Sequence, residues 1–382
     1  MIRTDLIAPL GELLRRQADT RPEALAFADR TRRVTYGVLA ERTGRLAVHL
    51  QAIGVGPGDR VAVFLPNSVA WVEACLAIVR AGGVAVPISR DATDDEILYR
   101  LSDAGCVAGF AEADQAPRLS ILEEYAVIRI GDEGPDGFTA IAAGTSSPGA
   151  RLEALREADD IEAPAFIVYT SGTTGKAKGV ILSLRGMLWV TAACWAPITG
   201  LSAEDYVLNA LPLYHSYALN FAVVSIVATG ASEYIVERFS TSDVLALLDT
   251  ERFTIFPGVP TTFHYLLNAS KTRGTRVLGQ VRLCLSAGAV LAGTLNRDFE
   301  DWFGVKLLDG YGITETSTMV TLNAPYGTRV MGSCGVPLPG LMARVVDRDD
   351  RDLDAGEEGE LIVRGPNVCS AITTSPPRRR RR

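Results

Sequence analysis

Residues 165–182 read AFIVYTSGTTGKAKGVIL, a loop rich in glycine and hydroxyl side chains between two apolar runs. The runs Ala165–Val168 and Val180–Leu182 have the length and composition of short buried strands. Glycines let the loop backbone approach a ligand, and the hydroxyls and two lysines add donors suited to a triphosphate. A flexible surface turn is the alternative, but this density of donors between two strands favours a phosphate-binding loop. The pattern is not Walker A, because Ala177 follows the Gly-Lys pair.

Helix and strand patterns alternate along the chain before this loop. Helical periodicity covers Leu6–Thr20, Leu39–Ile53 and Trp71–Arg80. Apolar runs that suit buried strands cover Arg60–Leu65 and Val84–Pro87. This alternation predicts a mostly parallel sheet covered by helices.

Changes in composition divide the chain into segments. Residues 131–159 are richer in Gly, Ser, Pro and acidic residues and are expected to connect two sheet units. A second alternating region extends from Ala165 to about Ala324, and from Arg329 onward the pattern changes to short strand-like pieces, Ala343–Asp347 and Gly359–Arg364. We therefore predict an α/β fold with two doubly wound subdomains and a small β-barrel-like subdomain, over about 1–160, 161–328 and 329–368.

The bulk composition excludes several classes of protein. The net charge of −7 gives no general attraction to nucleic acid or to an anionic membrane. The six cysteines are singly spaced and only three histidines are present, so a zinc site is not expected. The longest apolar stretches, such as Phe221–Ala228, fall short of the ~20 residues that a membrane helix needs. No secretory signal opens the chain, and we expect a cytoplasmic protein.

Further motifs follow the loop in a fixed order: Leu211–Ser216, Phe256–Pro260, Ser286–Leu291, Asp309–Thr316, Gly332–Gly340 and Gly359–Gly365. Together with the loop, they resemble the motifs of the acyl-adenylate-forming superfamily. That superfamily includes acyl-CoA synthetases, firefly luciferase and the adenylation domains of peptide synthetases. The resemblance extends to Val368, and one mild departure is Ala177, where the family usually has proline.

The resemblance implies that a carboxylate oxygen attacks the α-phosphorus of ATP, which yields an acyl-AMP and pyrophosphate. It implies Mg²⁺ as the metal and, in complete relatives, CoA as the acceptor. It assigns the outgoing phosphates to the loop residues Thr170, Ser171, Gly172, Thr173, Thr174, Gly175, Lys176 and Lys178. It assigns adenine and the reacting groups to Ala287, Gly288, Ala289, Asp309, Gly310, Tyr311, Gly312 and Thr314.

Two of the residues with an implied catalytic role also have a simpler structural interpretation. Glu315 is a hard oxygen ligand suited to Mg²⁺, whereas a glutamate considered alone is usually a solvated surface acid. His215 corresponds to a position near the reacting carboxylate, whereas a lone histidine beside Tyr214 is usually structural. The resemblance implies catalytic roles for His215, Thr314, Glu315 and Lys178. Tyr311 offers a flat face for adenine, although a tyrosine between glycines more often serves packing.

The resemblance ends after Val368. The family continues with a Met-x-Gly-Tyr-like stretch, a ribose-binding aspartate, a hinge and a C-terminal domain of about 100 residues that carries the adenylation lysine. This chain has Cys369–Arg378 instead. In the neighbouring reading frame, codons for residues 369–372 permit Met-Leu-Gly-Tyr, so we hypothesise a frameshift. We expect an aberrant, disordered tail over 369–382, no C-terminal domain, and a truncated, impaired enzyme. The run Arg378–Arg382 could bind nucleic acid, but an accidental tail is favoured.

Three functional hypotheses remain open. The segments Phe256–Pro260 and Leu211–Ser216 favour an acyl-CoA ligase acting on a small-molecule carboxylic acid. An amino-acid-activating domain is the second, and it needs an acidic side chain in the acyl pocket to hold the amino group. The third is a non-catalytic remnant that binds nucleotide or acid. The identity of the acid is open among fatty, aryl and small carboxylic acids.

Overall fold

Two large sheets, a small antiparallel hairpin and their surrounding helices form the part of the chain that the computed structural model describes, residues 1–118, 127–130, 137–145, 152–170, 176–276 and 278–373. The strands, in chain order, are β1 (Leu25–Ala28), β2 (Arg33–Thr35), β3 (Arg60–Phe64), β4 (Val84–Pro87), β5 (Cys106–Glu112), β6 (Val127–Ile130), β7 (Pro164–Thr170), β8 (Lys178–Ser183), β9 (Tyr206–Asn209), β10 (Ser232–Ile235), β11 (Ile255–Gly258), β12 (Leu283–Ser286), β13 (Lys306–Tyr311), β14 (Thr321–Leu322), β15 (Val336–Pro337), β16 (Met342–Val346), β17 (Glu360–Arg364) and β18 (Ala371–Ile372).

The helices, in chain order, are α1 (Leu10–Thr20), α2 (Tyr36–Ala52), α3 (Val69–Arg80), α4 (Asp94–Ala104), α5 (Phe138–Ala143), α6 (Leu184–Val190), α7 (Ser216–Ala218), α8 (Ser225–Thr229), α9 (Thr241–Thr250), α10 (Pro260–Arg273) and α11 (Gly293–Phe303). Short π-helical segments cover Thr191–Trp195 and Leu219–Val224. Such segments are rare and often lie at functional sites. Among the described residues, no helix is both long enough and apolar enough to cross a membrane.

The nine-stranded sheet has the order β15-β14-β13-β12-β11-β9-β10-β1-β2. The six strands from β13 to β1 are parallel to their neighbours, and the strands at both edges are antiparallel. The seven-stranded sheet has the order β18-β8-β7-β4-β3-β5-β6, in which β7 to β6 are parallel. Parallel strands covered by helices confirm the predicted α/β class.

The sheets do not divide at residue 160 as the sequence suggested. The strands β1 and β2, from the first part of the chain, extend the nine-stranded sheet. The strands β7 and β8 extend the seven-stranded sheet instead of starting the next one. Strand pairing between distant segments sets this arrangement, and composition along the chain carries no signal for it. The stretch 131–159 also contains α5, whose Phe138 is buried.

The segment after residue 329 differs from the expected barrel-like subdomain. Within the described residues, β15 joins the nine-stranded sheet, and β16 pairs with β17 in a two-stranded antiparallel sheet. The expected disordered tail is ordered at its start, because β18 pairs with β8. Residues 374–382 lie outside the described residues.

One large buried cluster joins the two sheets. It contains Val63 and Phe166 from the seven-stranded sheet together with Val207 and Leu285 from the nine-stranded sheet. A second cluster lies between the nine-stranded sheet and α9 to α11, and a third lies between the seven-stranded sheet and α4. A shared core holds the two sheets together, so groups at their adjoining edges can form one site.

Helix α4 has a well-defined start and end. The Thr93 hydroxyl accepts from the Glu96 backbone N–H, and the Glu96 carboxylate accepts from the Thr93 N–H, which is a capping box. Gly105 follows the helix with a φ of 63°, a left-handed conformation that suits glycine. The helix is therefore held at both ends and provides a stable support beside β7 and β8.

Candidate functional site

The carboxyl ends of three neighbouring parallel strands lie side by side. Gly258 of β11 pairs with Ser286 of β12, which pairs with Asp309 of β13. In open α/β sheets, ligands bind outside this edge of the strands. The predicted motifs Ser286–Leu291 and Asp309–Thr316 both begin here, so the fold brings them to one place.

Asp309 has a buried oxygen without a partner. The residue is 5% exposed, and its Oδ1 has no hydrogen bond in the described part of the chain. The neighbouring Ser286 Oγ is also buried and unpartnered. Burial raises the pKa of Asp309 to about 7, and the Gly310 N–H partly opposes this shift. Because buried polar groups are normally bonded, these two atoms indicate a place where a ligand supplies the missing partners.

The loop after β12 opens towards solvent. Ala287 is buried, whereas Gly288 and Ala289 are exposed. Gly288 has a φ of 84°, which favours glycine. Tyr311 ends β13 with 39% of its surface exposed, so a ring face is accessible for stacking. Packing against the protein therefore covers only part of the Tyr311 side chain and leaves room for a stacked ligand.

His215 and the Glu315 turn are brought together by their neighbours. The Ser216 Oγ lies 3.2 Å from the Thr314 Oγ1, which joins the start of α7 to the 3-10 turn Thr314–Thr316. His215 is exposed, and its ring lies 4.5 Å from that of Tyr214. Desolvation by its surroundings and the charge of Arg100 lower the pKa of His215. The imidazole is therefore neutral at neutral pH.

A cavity of about 470 Å³ opens beside His215. Its lining includes Tyr214, Val259 and Thr262, and its charged residues include Arg90 and Arg238. A cavity of this size suits a small organic ligand.

Glu315 is half-buried in the turn, and its carboxylate has no hydrogen-bond or ion-pair partner among the described residues. No group of three or more His, Cys, Asp or Glu side chains suited to a metal exists in that part of the chain. Mg²⁺ keeps most of its water and often uses one or two carboxylates together with substrate phosphates. A single carboxylate without a partner among the described residues, near the predicted phosphate loop, fits that manner of binding.

The start of the predicted tail connects the Glu315 turn to β8. The Cys369 N–H donates to the Glu315 carbonyl oxygen at 2.7 Å, and the Ser370 N–H donates to the Ile181 carbonyl at 2.9 Å. The Thr373 N–H donates to the Gly179 carbonyl at 2.7 Å. These bonds place the turn near the strand that leaves the phosphate loop.

The predicted phosphate loop is described only at its stem. Thr170 ends β7 and pairs with Lys178, the first residue of β8. Lys176 is exposed, with its Nζ 5.9 Å from the centre of the Tyr99 ring. The other predicted loop residues, Ser171, Gly172, Thr173, Thr174 and Gly175, lie outside the described residues.

Some site residues were not singled out in the sequence. Ser216 and Ser286 lie inside the predicted motifs, but the sequence alone predicted no role for their hydroxyl groups. Tyr99 and Asp103 lie outside every quoted motif and contact the loop stem. The one signal in the sequence was their spacing of four residues, which places both side chains on the same face of a helix.

Replacing Asp309 with asparagine is expected to stabilise the protein only at higher pH. The folded-state pKa of about 7 exceeds the ordinary value of 3.8, so stability falls as pH rises through this range. Asparagine does not ionise, so D309N should gain up to about 4 kcal/mol at pH 8.5 and little at pH 4. Urea unfolding at both pH values measures this, with D298N at an exposed position as the control. An equal difference at both pH values would contradict it.

Comparisons with known proteins agree with the motifs. A family model described as AMP-binding enzyme matches residues 14–372. A feruloyl-CoA synthase from an Amycolatopsis species is 30% identical, over 96% of this chain and 72% of its own length. A naringenin synthase from Pestalotiopsis fici is 31% identical over 94% of this chain, which spans only 14% of that protein. The crystal structure of ATP-bound MatB from Rhodopseudomonas palustris superposes with a TM-score of 0.83 at 31% identity, covering 95% of this chain and 72% of MatB.

Proposed function

The chain belongs to the AMP-binding enzyme family, and from this premise we propose that its site activates a carboxylic acid with ATP and Mg²⁺. The observation that carries the proposal is the contact between Ser216 and Thr314, which brings His215 next to the Glu315 turn. The carboxyl ends of β11 to β13 lie at the same edge of the fold. Groups suited to an acid, a nucleotide and a metal therefore adjoin one another.

The nucleotide is held mainly by residues of β13 and the loop stem. Asp309 Oδ1 is an acceptor without a partner among the described residues, and the amino group of adenine could donate a hydrogen bond to it. Tyr311 supplies an exposed ring face for the base. Lys178, Thr170 and Lys176 supply positive charge and a hydroxyl to the phosphates, which is the main need of phosphoryl chemistry.

In the reaction, a carboxylate oxygen forms a bond to the α-phosphorus, and the bond from this phosphorus to the pyrophosphate oxygen breaks. The electron pair leaves with pyrophosphate, so this step requires no proton transfer. The neutral His215 can donate one hydrogen bond that orients the carboxylate without an ion pair that would weaken the nucleophile. The Thr314 hydroxyl supports the reacting phosphate. Mg²⁺ on Glu315 would neutralise phosphate charge.

A second step would transfer the acyl group to the thiol of CoA with loss of AMP. We assign the 470 Å³ cavity beside His215 to the uncharged arm of CoA, because its lining is mixed polar and apolar. Its charged residues form the ion pairs Arg90–Glu237 and Arg238–Asp91. A plain fatty chain would favour a more uniformly apolar wall. The relatives named as CoA synthases support this acceptor.

The proposal is tested on the 382-residue chain by measuring the exchange of pyrophosphate into ATP. The assay is run with a panel of fatty, aryl and amino acids. We expect one acid to stimulate exchange, and E315Q to reduce that exchange about 100-fold by removing the metal ligand. The control E204Q changes an exposed glutamate and should leave exchange unchanged. Stimulation by an amino acid would favour the amino-acid-activating alternative. A rise in melting temperature with ATP but no exchange would favour a binding protein without catalysis.

A further inference from the structure

Helix α4 contacts both arms of the phosphate-loop stem. Tyr99 and Asp103 are four residues apart, so they lie on one face of the helix. Tyr169 lies in the arm that enters the loop, and Ala177 lies in the arm that leaves it. One helix face therefore contacts both sides of the same hairpin.

The contact to the leaving arm is made by Tyr99. Its hydroxyl donates to the Ala177 carbonyl oxygen at 2.8 Å. The Lys176 ammonium lies 5.9 Å from the centre of the Tyr99 ring, within range of a cation–π interaction. The same tyrosine thus orients a backbone carbonyl and one lysine of the stem.

The contact to the entering arm is made by Asp103. The Tyr169 hydroxyl donates to Asp103 Oδ2 at 2.7 Å, and the Tyr169 ring packs edge-on against Tyr99 with centroids 6.3 Å apart. Burial, and then the bond to Asp103, raises the pKa of Tyr169, so this hydroxyl keeps the proton that it donates. A bond to a charged acceptor is stronger than one between neutral groups.

Asp103 also reaches the leaving arm through Thr373. The Thr373 hydroxyl donates to Asp103 Oδ2 at 2.9 Å and accepts from the Gly179 N–H at 3.1 Å. Gly179 is the cross-strand partner of Tyr169. One carboxylate therefore links α4, β7, β8 and the residue after β18.

We propose that Tyr99 and Asp103 are positioning residues, which hold the two arms of the stem so that Thr170 and Lys178 meet the ligand phosphates in a fixed register. In this proposal, neither residue touches the ligand. The proposal rests on the proposed function only for the identity of that ligand. The geometry of the stem stands independently of it.

The test uses Y99F, D103L and D103N in the full chain, with Y36F as the matched control. Tyr36 is a buried tyrosine whose hydroxyl also donates to backbone carbonyls, of Ile226 and Ala231, in the shared core rather than at the stem. Each variant is measured for Mg·ATP affinity by calorimetry, for melting temperature, and for amide hydrogen exchange of the Gly179 N–H.

We expect Y99F to weaken Mg·ATP binding about five-fold and D103L about thirty-fold, since among the described residues they remove one and two hydrogen bonds from the stem. Gly179 should exchange faster in D103L. D103N keeps an oxygen acceptor and should stay within about three-fold of the unchanged protein. Y36F should lower the melting temperature without changing the affinity for Mg·ATP.

Affinity that falls only in proportion to melting temperature, as in a general loss of stability, would overturn the proposal. So would Y99F and D103L variants that bind Mg·ATP like the unchanged protein. If the unchanged protein binds no Mg·ATP, the proposed function fails, and exchange at Gly179 still decides the positioning role. Unchanged exchange at Gly179 in D103L would then overturn it.

Discussion

Replacing Gly312 with alanine is expected to lower the free energy of unfolding by at least about 3 kcal/mol and to abolish ATP binding. A Cβ on Gly312 would overlap the carbonyl group of Thr318 and lie 2.7 Å from the Met319 Cα. These are backbone atoms, so no side-chain rotation can relieve the overlap.

The adjoining turn has little freedom to relax. Ser317 and Thr318 already have φ angles of 51° and 105°, which are strained for residues with side chains. Moving the turn to accommodate a Cβ would also displace Thr314 and Glu315, which precede it. Stability and ligand binding should therefore fall together.

Urea unfolding and calorimetry with Mg·ATP measure the two effects of G312A. The matched control is G56A, because a Cβ on Gly56 meets only the Asp59 carboxylate, at 3.7 Å. This control should change stability by less than about 1 kcal/mol. A G312A variant as stable as G56A would show that the Asp309–Thr316 motif tolerates a side chain at this place.

Replacing Glu73 with leucine is expected to cost about 3–4 kcal/mol of unfolding free energy. Glu73 is fully buried on α3 and receives bonds from two arginines. The Arg32 Nη2 donates to Oε2 at 2.6 Å, and the Arg42 Nε donates to Oε1 at 2.6 Å. Leucine would leave both guanidinium groups without their carboxylate.

This cluster also joins the two sheets. Arg32 lies in the turn between β1 and β2, at the edge of the nine-stranded sheet, whereas α3 connects β3 and β4 of the seven-stranded sheet. Because the candidate site uses residues from both sheets, E73L should also weaken Mg·ATP binding. The loss should be smaller than in G312A, since the site itself keeps its contacts.

Thermal and urea unfolding of E73L measure this prediction. The control E41Q removes a more exposed pair on α2, between Glu41 and Arg45, and should cost less than about 0.5 kcal/mol. A loss below about 1 kcal/mol in E73L would contradict the role assigned to the cluster.

The ordered start of the tail has a physical reason that is compatible with the frameshift hypothesis. The bonds from residues 369–373 to Glu315 and β8 use mainly backbone N–H and carbonyl groups. Backbone pairing does not require particular side chains, so many sequences can add a strand here. Thr373 is the exception, because its hydroxyl takes part in the Asp103 network. The origin of the tail stays a hypothesis that resequencing the gene would test.

Local elements followed from the sequence because their signals are local. The strand expected at Val84–Pro87 has those bounds, and the one expected at Arg60–Leu65 ends one residue earlier. The helix expected at Trp71–Arg80 begins at Val69, because the Ser68 hydroxyl accepts from the Trp71 N–H and caps it there. Apolar periodicity and capping residues act over a few positions, so a single sequence carries them.

The sequence by itself determined the α/β class, most element positions and the family, because motifs and hydrophobic periodicity are properties of residues that are close in the chain. Only the tertiary structure decided which strands share a sheet, since β1 pairs with β10 some two hundred positions away. It also decided that Asp309 keeps an unpartnered oxygen and that Tyr99 and Asp103 hold the loop stem. Those properties depend on the distances and burial of side chains that folding brings together from separate segments, and no local pattern encodes them.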